Sequence, residues 1–333
     1  MIAAGLGWML STVASGVGGV LIGADAAVAS VTTDSRQISP GSLFVAIEGE
    51  RFDGHDFAQA AVAEGAAGVV VQQGRTTAKP RIEVAGTLQA LLSIGAMRRN
   101  ELGMPVIAVT GSTGKTSTKD LLAAGIEGAW ASPRSYNNEI GVPLTVLSTP
   151  DDADVLVLEV GSRGPGHIRW LTEAVRPDVS IITNLGVVHL ETFGSEAGLA
   201  DAKFELVEML GADGVAVLPA DEPRLLREGI PSLMTFGETV GDVRVTDIVL
   251  DDAGRPSFFL RHGRDSHRVE LSVSGRHQAL NAAAAAAAAA AIGVDLGDFA
   301  SRLGRTGGSD WRMDVHQGEI TVVNDAYNAN PQS

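Results

Sequence analysis

The run Thr110-Gly111-Ser112-Thr113-Gly114-Lys115-Thr116-Ser117 has the types and spacing to hold a phosphate. Its glycines let the backbone curl so that several N–H groups face one anion. A helix starting at the lysine adds the positive end of its dipole. Lys115 would neutralise the outer phosphates of a nucleotide, and the Thr116 hydroxyl would ligate Mg²⁺. The spacing is the short form Thr-Gly-x-x-Gly-Lys-Thr. The longer G-x-x-x-x-G-K-[ST] pattern fails, because Val109 stands where its first glycine belongs. A bare glycine turn beside a surface lysine fits less well, since the strand-like Val106–Val109 precedes the motif and a helical pattern follows from about Lys115.

Other candidate groups stand at the ends of apolar runs. Glu159 closes Val155–Glu159, and strand ends in open α/β sheets face the ligand crevice. Its carboxylate could meet nucleotide-bound Mg²⁺, although acids often simply cap strands. His189 lies just beyond Val179–Thr183, in the segment that runs on to Glu191. A lone histidine is more often structural, and Mg²⁺ prefers oxygen. Lys203, in Ala202-Lys203-Phe204-Glu205-Leu206, reads by itself as a solvated helix lysine.

The elements that must position these groups alternate between strand and helix. Strands are expected at Leu43–Ile47, Val69–Val71, Val106–Val109, Val155–Val160 and Val179–Thr183. Helices are expected over Gly7–Ser15, Phe57–Ala66 and Leu88–Asn100, and from Lys115 onward. Such alternation predicts parallel sheets with crossover helices. A linker is expected near Lys79–Pro80. An antiparallel insert is expected over 241–273, where Asp251–Gly254 turns between Val243–Leu250 and Pro256–Leu260. The ten alanines Ala282–Ala291 predict a closely packed helix ended by Gly293.

Composition excludes several functions. The 333 residues suggest two or three domains, and 45% apolar with 20% charged residues is globular. Forty acids against 25 Lys and Arg give a net charge of −15, which disfavours broad nucleic-acid binding. The absence of cysteine removes disulfides, thiolate ligands and a thiol nucleophile, in keeping with a cytoplasmic location. Residues 1–24 carry no charged side chain but hold six glycines and lack a basic n-region, so neither a membrane span nor a signal peptide is expected.

Several collinear blocks resemble the Mur ligase family of peptidoglycan synthesis, its MurF type above all. They are Thr33-Asp34-Ser35-Arg36, Pro40–Ala46, Phe52-Asp53-Gly54-His55-Asp56-Phe57, the short phosphate loop, Asn137–Pro143 and Asp325–Pro331. The resemblance covers nearly the whole chain. It implies an α/β architecture in three parts. Residues 1–84 would form a small UDP-substrate-binding domain and 85–311 a P-loop-type central ATP-binding domain with a mostly parallel sheet. Residues 312–333 would start a C-terminal Rossmann-like domain that is otherwise missing, so that the chain reads as a truncated ligase. Trp311 departs from the glycine the family more often has before Arg312.

The same resemblance makes Glu159 and His189 magnesium ligands and Lys203 a carbamylated lysine holding a second Mg²⁺. Gly111 to Ser117, Asn281, Arg312 and Asp325 become ATP contacts. Ser35, Arg36 and His55 fall on the uridine-nucleotide side, and Asn137 and Asn138 near the muramoyl substrate. Catalysis is assigned to Lys115, Lys203 and His189. The implied activity is ATP-dependent amide ligation, adding D-Ala-D-Ala to UDP-MurNAc-tripeptide through an acyl phosphate. A monomer is favoured, with no nucleic-acid or membrane partner. Alternatives are a MurE-type ligase, a folylpolyglutamate-synthase-like ligase and, for the chain as it stands, a noncatalytic nucleotide-binding module.

Overall fold

The computed structural model describes residues 6–186, 193–304, 314–316 and 322–324. The chain divides into two compact units. One holds Met1–Gly103 with Glu139–Asp152 and Glu173–Val175, and the other holds Met104–Asn138, Ala153–Thr172 and Arg176–Ser333.

The first unit opens with β1 (Trp8–Met9), α1 (Leu10–Gly16), β2 (Val20–Ile22), β3 (Ala27–Val28), β4 (Ser30–Thr32) and β5 (Ser42–Val45). It continues through α2 (Ala58–Ala63), β6 (Gly68–Gln72), β7 (Arg81–Val84) and α3 (Thr87–Glu101). Its five-stranded sheet has the order β2-β7-β6-β5-β4, parallel except where β2 meets β7. Alternation along the strands gives the sheet two apolar faces. Leu43, Val45, Val70 and Ile82 pack with Leu10, Leu91 and Ile94, while Phe44, Val69 and Val71 pack with Ala58 and Ala61.

Lys79–Pro80, expected to be a linker, instead leads directly into β7. Ile82 and Val84 of that strand are buried while Arg81 and Glu83 pair on the other side, so its period-two pattern makes it part of the sheet. The helix expected over Phe57–Ala66 splits into a 3₁₀ turn, Gly54–Phe57, and α2. The helix 87–101, placed with the central domain by sequence, packs in the first unit.

The second unit contains β8 (Val106–Thr110), α4 (Lys115–Gly125), β9 (Ala129–Ala131), β10 (Val155–Glu159), β11 (Val179–Ile182), α7 (Glu196–Glu208) and β12 (Val215–Pro219). Then come β13 (Ser232–Gly237), β14 (Val243–Leu250), β15 (Pro256–His262), β16 (Asp265–Glu270), α8 (His277–Ala291) and α9 (Leu296–Leu303). The helices α5 (Gly141–Leu147) and α6 (His167–Val175) lie between β9 and β11 in the chain. The nine-stranded sheet runs β16-β15-β14-β13-β12-β11-β8-β10-β9, parallel from β9 to β14 and antiparallel beyond. The mostly parallel α/β architecture read from the sequence is therefore present, with the antiparallel segment extending its edge.

Every residue of β8 and β10 is buried, as expected of strands covered on both faces. Ala282 to Ala289 are at most 1% exposed. With no bulk beyond Cβ, they let α8 lie tightly against the sheet at little helix-forming cost. Phe204 and Val207 of α7 join Ile182, Ala216 and Leu218 in a separate apolar cluster. Three parallel strands, β11, β8 and β10, thus end side by side on one edge, where Thr110, Glu159 and Ile182 are their last residues. No helix among the described residues is long and apolar enough to cross a membrane.

Candidate nucleotide-binding and ligase site

The phosphate motif forms the turn from β8 into α4. Gly111 has φ +148° and Gly114 φ +78°, in the left-handed region that favours glycine. A side chain at Gly111 would collide with the Thr183 hydroxyl, and a Cβ at Gly114 would stand 2.5 Å from Asn281 Oδ1. No side chain caps the N-terminus of α4, which leaves the helix start to an anion. Lys115 Nζ donates to the carbonyls of Gly111 (2.8 Å) and Ser112 (3.3 Å), folding back over the loop.

The first loop amides do not all face outward, as the motif suggested. The Ser112 N–H donates to the Asn184 carbonyl (3.2 Å) and the Thr113 N–H to Asn184 Oδ1 (3.1 Å). An anion would be met chiefly by the start of α4.

Thr116 is buried, and its hydroxyl donates to Glu159 Oε2 at 2.7 Å. Asn137 Nδ2 donates to the other oxygen, Oε1, also at 2.7 Å. The Glu159 N–H donates to Ser132 Oγ (3.2 Å), and Gly161 N–H donates to the Asn137 carbonyl (2.7 Å). These bonds fix the carboxylate's orientation at the end of β10. Two hard oxygen donors in contact beside a helix N-terminus match the donor preference of Mg²⁺. Among the described residues no cluster of three or more His, Asp or Glu forms a metal cage.

The Asn281 side chain is buried beside Gly114 and donates to Gln278 Oε1 (3.0 Å), while Gln278 reaches Ser117 Oγ at 3.4 Å. Asn138 follows Asn137 in the same loop. Lys203 is not a solvated lysine: it is buried on α7, with Nζ 5.8 Å from the Phe193 ring centre. Burial, then the positive charge of Lys115, pushes its ammonium down to about 7 against the pull of Glu205. Glu205 is itself held by the N–H groups of Gly166 (2.5 Å) and Arg169 (3.0 Å) at the start of α6. His189, Arg312 and Asp325 lie outside the described residues.

In the first unit, Ser35 and Arg36 form a 3₁₀ turn capped by Asp34. The guanidinium of Arg36 donates from Nε and Nη2 to the two Asp34 oxygens at 2.8 Å each, and holds that carboxyl down to about 2. His55 is buried. The Gln72 N–H donates to its Nε2 (3.0 Å), so the proton sits on Nδ1 and is donated to Asp53 Oδ1 (2.6 Å). Both ring nitrogens are engaged, which makes His55 a builder of the Gly54 turn and leaves neither nitrogen for a substrate. Arg75 pairs with Asp53 and Glu48 beside it.

The residues that sequence reasoning missed here are Ser132, Thr183, Asn184, Glu205 and Gln278. Their only sequence signal is position, one or two residues past a strand end or within a helical turn of a flagged residue.

Comparison with known proteins gives the family and the fold. Residues 109–289 match the Mur ligase middle domain, and residues 27–99 match the Mur ligase family catalytic domain. The chain belongs to the Mur ligase family. The UDP-N-acetylmuramoyl-tripeptide–D-alanyl-D-alanine ligase of Escherichia coli is 35% identical, over 96% of this chain and 73% of its own length. A crystal structure of MurF from Acinetobacter baumannii superposes with a TM-score of 0.90 at 33% identity, covering 98% of this chain and 74% of that one. The MurF ligase of Thermotoga maritima, solved in complex with ADP, gives a TM-score of 0.81 at 29% identity, covering 91% of this chain and 72% of that one.

Proposed function

We propose that this chain is a MurF-type ATP-dependent ligase that joins D-Ala-D-Ala to UDP-MurNAc-tripeptide. The observation that carries the reading is the Thr116–Glu159 contact beside Lys115 at the open start of α4. That the Thermotoga relative was solved in complex with ADP supports an adenine nucleotide as ligand.

In this reaction the terminal carboxylate of the tripeptide attacks the γ-phosphorus of ATP. The bond to the β,γ-bridging oxygen breaks, and ADP leaves an acyl phosphate. The dipeptide amine then attacks the acyl carbon, loses a proton and expels phosphate. The obstacle is an anion approaching a polyanion. Lys115, released from the Gly111 and Ser112 carbonyls, and the positive end of α4 would offset that repulsion. Thr116 and Glu159 would hold Mg²⁺, which when bound supplies further charge neutralisation on the phosphates. His189 and a carbamylated Lys203 are proposed to complete the metal set. A buried amine near 7 keeps a neutral fraction at physiological pH, the form that adds to CO₂ and releases a proton to give the carbamate.

Asn281, Arg312 and Asp325 are assigned to the nucleotide, Asn137 and Asn138 to the muramoyl peptide, and Ser35 and Arg36 to the uridine side. The reaction is placed in the cytoplasm, where ATP is available. Calorimetry with magnesium ATP, followed by phosphate release with UDP-MurNAc-tripeptide with and without D-Ala-D-Ala, tests the reading. Heat of association and dipeptide-dependent turnover are expected. Absence of any nucleotide heat would overturn it, and binding without turnover would favour a noncatalytic nucleotide-binding module.

A further inference from the structure

The phosphate loop is held from outside by two side chains that the proposed mechanism does not use, Asn184 and Thr183. β11 and β8 pair in parallel with Ile182 opposite Thr110, and the ladder continues past the strand ends. The Thr183 N–H donates to the Thr110 carbonyl (3.0 Å) and the Ser112 N–H to the Asn184 carbonyl (3.2 Å). This register sets Asn184 beside Thr113. Its amide then closes a ring of contacts: Oδ1 accepts the Thr113 N–H at 3.1 Å, and Nδ2 donates to Thr113 Oγ1 at 2.9 Å and to the Thr113 carbonyl at 3.2 Å. The Thr183 hydroxyl adds a bond to the same carbonyl at 2.6 Å. Only a side chain that both donates and accepts can serve all of these partners.

We infer that Asn184 is a positioning residue for the nucleotide: its amide holds Thr113 so that the Gly111–Gly114 turn is already curled and the start of α4 is already bare when the triphosphate arrives. A carboxylate in its place would keep the acceptor for the Thr113 N–H. It would also set a negative charge against Thr113, two residues before Lys115 in the chain, where it competes with the phosphates for that cation and for the helix start. Neutrality is therefore as much a requirement here as hydrogen bonding. The inference rests on the ligase reading, because it presumes that the loop takes a nucleotide.

The test compares the wild-type chain with Asn184→Ala and Asn184→Asp, by calorimetry with magnesium ATP, thermal unfolding and amide exchange at Thr113. Asn184→Ala should weaken ATP about tenfold and release Thr113 from exchange protection. Asn184→Asp keeps the acceptor for the Thr113 N–H and so that protection, loses the two Nδ2 donations with a small drop in melting temperature, and should weaken ATP more than alanine does, by about thirtyfold or beyond. In turnover both variants should raise the KM for ATP far more than they lower kcat, since a preset loop serves ground and transition states alike.

A residue acting only in folding would give the reverse order, with Asp closer to wild type than Ala, and that order would overturn the inference. Wild-type ATP affinity in both variants would overturn it and leave the ligase reading standing. No nucleotide heat in the wild-type chain would overturn both. If Asn184→Ala does not fold, the isosteric Asn184→Asp alone decides, because intact folding with unchanged ATP affinity contradicts the proposal.

Discussion

The phosphate loop and the polar turns of the first unit both collect charged and hydroxyl side chains, but they hold them differently. Around the loop several polar groups are bonded to residues far away in sequence, with Lys115 on the Gly111 and Ser112 carbonyls a local exception. Thr116 meets Glu159, Glu159 meets Asn137 and Ser132, and Thr113 meets Asn184. In the first unit the candidate substrate residues bond mainly to near neighbours: Arg36 to Asp34, and His55 to Asp53, with Gln72 as the distant exception. Long-range bonds among buried groups make a rigid cradle whose members depend on each other. The exposed Arg36–Asp34 turn can be altered at little cost, as exposed ion pairs are weak, whereas buried His55 cannot.

The largest effect that would sharpen this contrast is at Lys203. Lys203→Ala should abolish ligation, with partial recovery on adding short-chain carboxylates that stand in for the carbamate. Undiminished activity would remove the carbamate from the account. Next is Lys115→Ala, expected to lower ATP-dependent phosphate release about a thousandfold. The affinity for UDP-MurNAc-tripeptide should stay within roughly threefold, because Ser35 and Arg36, the residues proposed for the uridine side, belong to the other unit. Equal losses of both ligands would break the division.

Asn137→Leu should cost about 1–3 kcal/mol of transition-state stabilisation by leaving a buried Glu159 oxygen without its donor, read as a drop in kcat/KM. His55→Ala should lower unfolding stability by about 2 kcal/mol through two lost hydrogen bonds and a cavity, with ATP affinity unchanged.

The smallest expected effect is at Asp34. Its carboxyl is held down to about 2 by hydrogen bonds from Arg36, against 3.8 ordinarily. Above 3.8 both folded and unfolded forms are ionised and the pairing is fully present. Below it the unfolded chain takes up the proton first, so stability falls as pH drops toward 2. Asp34→Asn should flatten that part of the acid-unfolding curve only slightly, because Arg36 is 87% exposed and solvent screens the pair.

What was legible in the sequence was whatever local pattern decides. The strand–glycine turn–helix at 106–116, the apolar run ending in Glu159 and the alanine helix all stand where periodicity and turn chemistry place them. Lys79–Pro80 misled because proline suggests a break, while the alternation in Arg81–Val84 that makes a strand is only four residues long.

The sequence by itself determined the alternating architecture, the phosphate loop and the acid at the end of its neighbouring strand, because backbone curl and side-chain period are properties of short segments. Tertiary structure alone decided that Lys203 is buried and shifted, that His55 is spent on its own turn, and that Asn184 grips Thr113. Each of those outcomes depends on which strands lie side by side and how far their ends reach, and strand order and register arise from packing between distant segments.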